Sequence, residues 1–177
     1  AGYVTASISY RLVAGGCTGS NPVTVCLTAI NHAMQDAQSA LAFLRANAAT
    51  YGIDLTRIAI AGTSAGAITA ANVAFTSAGN PQGGVRAAVS LSGAALGPAP
   101  GPGDAPLLLL HGTADPLVPY EWAVNTFNAA NSNGARAVMT TWEGAGHVPY
   151  LDHRTEILEQ TRNFFWWHLD LANAAVS

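Results

Sequence analysis

The chain has 177 residues, half of them hydrophobic and a tenth charged, which is material for one domain with its own core and not for two. Its net charge is −3 and its seven basic residues are all arginines scattered singly, so there is no basic stripe to hold a phosphate backbone and no nucleic-acid partner is expected. No apolar run approaches a bilayer span, and Ala1-Gly2-Tyr3-Val4 carries neither the charged nor the apolar region of a leader. The expectation is a soluble chain from which any leader has been removed.

Tyr3 to Tyr10 is rich in β-branched and aromatic residues and predicts a strand, ended by Arg11-Leu12. In the polar loop that follows, Cys17 and Cys26 bracket Gly, Ser, Asn and Pro residues. In an oxidising compartment they would pair and add roughly 2.5–3 kcal/mol by chain entropy; two free thiols in a reducing compartment are the alternative. Pairing is preferred because a free thiol in an exposed loop is reactive, and it points to a secreted or periplasmic protein. With no histidine at metal-ligand spacing beside them, a zinc site is not expected.

From Ile30 to about Ala49, apolar residues including Ala33, Met34, Ala37, Leu41 and Leu44 recur at spacings of three and four. That period predicts an amphipathic helix lying on one face of a sheet and stopping near Gly52. Asp36, inside it, reads as a structural partner for Arg11. Arg57 to Ala61 is a short apolar run suited to a buried parallel strand. It leads into Gly62-Thr63-Ser64-Ala65-Gly66 and then a stretch of helical composition to Phe75. A strand, a sharp turn carrying serine between two glycines, and a helix form a nucleophile elbow. Side chains at Gly62 and Gly66 are expected to collide with the neighbouring strand and helix. Ser64 Oγ then stands at the carboxyl end of a central strand, and the Ala65 N–H can point at a developing oxyanion.

Val85 to Ser92 predicts the next strand, and Gly93 to Pro106 an irregular loop too short to hold an inserted cap. Pro106 to His111 is continuously apolar up to the histidine, as in a strand buried on both faces. Asp115 lies in the turn after it, several residues before the helix predicted from Tyr120 to Asn131, too early to cap that helix and well placed for a catalytic carboxylate. His111 reads as a packed histidine. A further strand, Ala135 to Trp142, is followed by a glycine-rich loop carrying His147, and a helix from about Arg154 to Ala172 closes the chain. His32, His153 and His168 read as surface or packing residues.

Ser64, Asp115 and His147 thus come in the order nucleophile, acid, base, each directly after a strand, in a chain that alternates strand and helix. That arrangement resembles the α/β-hydrolase fold, and most closely its carboxylesterase and feruloyl-esterase-like, hormone-sensitive-lipase-like branch. The similar segments are Tyr10-Arg11-Leu12, Asp36 with Ala40-Leu41 and Leu44, and Asn47-Ala48. They continue through Tyr51-Gly52-Ile53-Asp54, Arg57-Ile58, His111 to Pro119 and Gly144-Ala145-Gly146-His147. The resemblance implies an α/β fold over the whole chain, 1–177, with a mostly parallel sheet, helices on both faces and no cap. It also implies a Ser64–His147–Asp115 triad that cleaves small carboxylic esters through an acyl-enzyme, with Ala65 in the oxyanion hole and no metal or cofactor. Trp142, Val148 and Tyr150, with Trp122, are expected to line an open pocket.

Two features depart from the family. The His-Gly-Gly-Gly-type loop that supplies the other oxyanion donors has no counterpart here, since Gly15-Gly16 follows the wrong strand. The strand bearing that loop would lie between Tyr3–Tyr10 and Arg57–Ala61, and its loss would leave unpaired backbone groups in the sheet. The chain is therefore expected to be a fragment or an N-terminally truncated variant, and an open sheet edge favours association with a second copy. A serine peptidase of the same fold and a catalytically weak binding module are the alternatives.

Overall fold

The computed structural model describes residues 3–17, 23–80 and 82–173. Its four strands, β1 (Ala59–Thr63), β2 (Ala87–Leu91), β3 (Leu107–Gly112) and β4 (Ala137–Trp142), are too far apart in sequence for hairpins. They pair in parallel in the order β1-β2-β3-β4. The helices are α1 (Val23–Ala46), α2 (Ala48–Tyr51), α3 (Ala65–Ala74), α4 (Tyr120–Ser132) and α5 (Tyr150–His168).

Strand alternation sorts the core into two layers. Leu107 and Leu109 of β3 join residues of α1, α3 and α4, while Leu108 and Leu110 meet Val89, Leu91 and Trp142 beneath Ile157 and Phe164 of α5. All four leucines are buried, at about 1.5–3 kcal/mol each. β2 and β3 are buried throughout, as parallel strands covered on both faces must be.

Three expectations change. Tyr3 to Tyr10 forms no strand and makes no ladder; β1 pairs only with β2 among the described residues. β-branched residues suit a pleated sheet, but an extended segment becomes a strand only where a neighbour offers a free edge in reach. The segment is held instead through its far end: Arg11 Nε donates to Asp36 Oδ1 at 2.9 Å and the Arg11 N–H to Oδ2 at 2.7 Å, while Ile8 packs against the core. The Arg11–Asp36 pairing read from the sequence is formed.

Next, α1 starts at Val23 rather than Ile30, so Cys26 sits in a helix and not in a loop. The disulfide with Cys17 is formed. The helix ends at Ala46, and the one-turn α2 closes at Gly52, whose φ of 65° is the left-handed cap expected there. Finally, α5 begins at Tyr150 and runs through a kink at His153, where φ is −118° and ψ 23°.

Candidate active site

β1 passes into α3 through Ser64, whose φ of 54° and ψ of −121° lie outside the ordinary regions for an L-residue. The turn is fixed from both sides. The Ser64 N–H donates to Leu91 O of β2 at 2.9 Å, and the Ser64 carbonyl accepts from Ala67 and Ile68. A Cβ on Gly62 would lie 2.2 Å from Gly66 O, so position 62 admits only glycine. Gly66 departs from the sequence expectation: a Cβ there meets nothing within 4 Å. The collision runs one way, from position 62 into the backbone of residue 66.

These two glycines therefore predict opposite outcomes. Gly62→Ala is expected to cost about 3 kcal/mol or more by breaking the elbow. Gly66→Ala, in the first turn of α3, is expected to be neutral or to gain up to about 1 kcal/mol from helix propensity. Urea unfolding of the two variants beside the parent chain checks both; a destabilised Gly66→Ala would mean that the space beside α3 is not open.

The candidate acid, Asp115, comes from the turn after β3. Oδ1 of Asp115 accepts the N–H groups of Leu117 at 2.9 Å and Val118 at 3.0 Å, and its side chain is wholly buried. Burial pushes the Asp115 carboxyl up. The hydrogen bonds from His147 and from the Val118 and Leu117 N–H groups outweigh burial and hold it below the ordinary carboxylate range. The candidate base, His147, comes from the loop after β4, laced to the Asp115 turn by Ala114 N–H to Ala145 O at 3.0 Å and Gly144 N–H to Thr113 Oγ1 at 2.8 Å. A Cβ on Gly112 would lie 2.3 Å from Ala145 O, so the close crossing of the two loops requires glycine there.

The three side chains meet. His147 Nδ1 lies 2.8 Å from Asp115 Oδ2, and His147 Nε2 lies 2.8 Å from Ser64 Oγ. An ionised carboxylate only accepts, so Nδ1 carries the proton and Nε2 is left to accept from the serine hydroxyl. Ala65 opens α3, and its N–H has no backbone acceptor among the described residues.

The other residues expected at the site divide. Val148 and Tyr150 are half-buried and packed against the α5 side of the core, and Trp122 is exposed beside a groove lined by Pro98, Pro100 and Asn125. Trp142 is buried: its indole Nε1–H donates to Glu156 Oε2 at 2.7 Å and its ring stacks on His153 at 4.8 Å. It shares a strand face with Thr140, which is hydrogen-bonded to Gln160, so both side chains point at α5 rather than at the loops. His168 packs on Phe164, as a packing residue should. Burial first, then the charges of Arg136 and Arg86, hold its imidazole below the ordinary range.

Two residues near the site were not singled out from sequence as part of it. Ser92, buried just after β2 with φ 55°, accepts the Val148 N–H on Oγ at 2.9 Å and so fixes the residue after His147. Its signal is position: it follows a strand as Ser64 does. His111 lies 3.3 Å from Asp115 Oδ2 through Nε2; the spacing of four to Asp115 is the only trace it leaves in the sequence.

Comparison with known proteins agrees with this architecture. Residues 1–86 match the BD-FAE family model and residues 87–166 that of TAP-like proteins. No curated protein matches. Among solved structures, a truncated carbohydrate esterase from gut microbiota is 23% identical with a TM-score of 0.67, over 77% of this chain and 68% of that one. A thermophilic esterase from the planctomycete Thermogutta terrifontis is 22% identical with a TM-score of 0.67, over 84% and 66%. The same esterase phosphonylated by sarin gives 21% and 0.69, over 84% and 69%. The chain thus spans about two thirds of the length of these structures. It shares their α/β-hydrolase fold.

Proposed function

We propose that the chain hydrolyses carboxylic esters through an acyl-enzyme, with Ser64 as nucleophile, His147 as general base and then general acid, and Asp115 as its orienting partner. The observation that carries this reading is the unbroken line of 2.8 Å hydrogen bonds from Ser64 Oγ through His147 to Asp115. As Ser64 Oγ attacks the ester carbonyl carbon, Nε2 takes its proton. The imidazolium so formed is stabilised by Asp115 and returns the proton to the leaving alcohol. Water then enters by the same route and releases the acid. The negative oxygen of each tetrahedral intermediate is stabilised by the Ala65 N–H, and the loss of one oxyanion donor set costs about 10²–10³ in kcat.

The esterases of like fold support small acyl groups as substrates, since one of their structures is described as butyrate-bound. The disulfide supports an oxidising compartment. Among the described residues no helix is long and apolar enough to cross a membrane, and no cluster of His, Cys, Asp and Glu is arranged to hold a metal.

The test is titration with a fluorophosphonate alongside turnover of p-nitrophenyl acetate and butyrate and the matched p-nitroanilides. Stoichiometric labelling with ester turnover is expected. Faster anilide cleavage would make the chain a peptidase, and no labelling would make it a binding module.

A further inference from the structure

His111 occupies the fifth position of β3, after four buried leucines, and is itself fully buried. Its Nε2 lies 2.9 Å from Val118 O and 3.3 Å from Asp115 Oδ2. Both neighbours are acceptors, so Nε2 carries the ring proton, which is hydrogen-bonded to Val118 O and lies close to Oδ2. Nδ1 is buried and has no hydrogen-bond partner among the described residues. A leucine would continue the apolar run without stranding a nitrogen, so the imidazole is a poor choice for packing alone.

What it does provide is a closed circuit around the acid. Val118 gives its carbonyl to His111 and its N–H to Asp115 Oδ1, while the same His111 N–H faces Asp115 Oδ2. The turn from 115 to 118 is tied at both ends of one peptide unit, and the oxygen that meets His147 is braced from behind. We propose that His111 is a positioning residue for the acid: its Nε2–H locks the Asp115–Val118 turn and holds Oδ2 on the His147 Nδ1–H. The proposal rests on the ester-hydrolase reading above for its kinetic consequences, though not for its geometry.

The test compares three variants of the full chain. His111→Gln carries an amide nitrogen near the place of Nε2, His111→Asn carries one only near Nδ1, and His111→Leu carries none. His111→Gln is expected to keep kcat for p-nitrophenyl acetate within a few-fold. The Asn and Leu variants are expected to lose roughly tenfold to a hundredfold in kcat with KM little changed, the size of a misplaced catalytic group. His111→Leu removes the unpartnered nitrogen but leaves Val118 O without its donor and is expected to melt below the parent, so the loss of kcat at unchanged KM, measured well below the melting point, is the readout that a merely structural role would not move. If the leucine variant does not fold, the Gln and Asn pair decides alone. Equal kcat for Gln and Asn, or parent-like kcat in Asn or Leu, would overturn the proposal.

A second readout does not need turnover. The His147 Nδ1–H proton, followed by NMR, is expected at low field in the parent and in His111→Gln, and lost or broadened in His111→Asn. A parent chain that turns over no ester but behaves this way defeats the ester-hydrolase reading and leaves the positioning role standing; an unchanged proton in all three variants defeats the positioning role.

Discussion

Ser64→Ala is expected to lower kcat for an aryl acetate by about 10⁴–10⁶-fold while leaving the fold in place. The loss is large because, among the described residues, no other hydroxyl is hydrogen-bonded to His147: without Oγ there is neither an atom to be acylated nor a proton for Nε2 to take. The fold survives because the elbow is held by backbone, through Ser64 N–H to Leu91 O and the Ser64 carbonyl to Ala67 and Ile68, and alanine has the same Cβ in the same unusual conformation. Stability is therefore expected to move by no more than about 1 kcal/mol, the net worth of one hydrogen bond. Steady-state turnover, fluorophosphonate labelling and a urea unfolding curve on the same preparation check all three statements. Labelling that persists in the variant would place the reactive group elsewhere and remove Ser64 from the mechanism.

The candidate triad was legible because each member is announced locally. A short apolar run followed by Gly-Thr-Ser-Ala-Gly, by Gly-Thr-Ala-Asp or by Gly-Ala-Gly-His describes a strand running into a turn, and parallel strands place all such turns at one end of the sheet. The parts that could not be read depend on partners distant in sequence. The strand expected at Tyr3–Tyr10 has suitable residues, but the neighbour that the family resemblance places between it and β1 is not among the described strands, and β1 pairs only with β2; local composition alone does not say whether an edge lies within reach. Gly66 looked as constrained as Gly62, yet only the folded turn distinguishes the residue that would collide from the one whose carbonyl is struck. Trp142 could have been placed from the period of β4, since Val138, Thr140 and Trp142 share the face turned toward α5. His111 reads as one more buried residue until the 115–118 turn folds back beneath it and supplies an acceptor.

Asp115→Asn is expected to cost about 10⁴-fold in kcat with little change in KM, through the tautomer of His147 rather than through misfolding. Oδ1 already receives two backbone N–H groups, from Leu117 and Val118, so the asparagine must keep its carbonyl oxygen there and put its NH₂ where Oδ2 stood. That NH₂ donates to His147 Nδ1, which forces the ring proton onto Nε2, where it faces Ser64 Oγ as a donor and can no longer accept the hydroxyl proton. It also sets a donor against the His111 Nε2–H. Stability carries a separate signature. Asp115 is held below the ordinary carboxylate range in the folded chain and near 3.9 when unfolded. Its ionisation therefore adds stability that is complete above the unfolded value and is lost as pH falls through the lower folded one. The parent chain should lose this contribution below about pH 4 while the asparagine variant has none to lose, so the gap between their unfolding midpoints should narrow on acidification from pH 7 to pH 3. A kcat within tenfold of the parent would show that His147 needs no carboxylate to hold its proton on Nδ1. A stability gap that does not narrow would show that Asp115 is not held ionised by the donors around it.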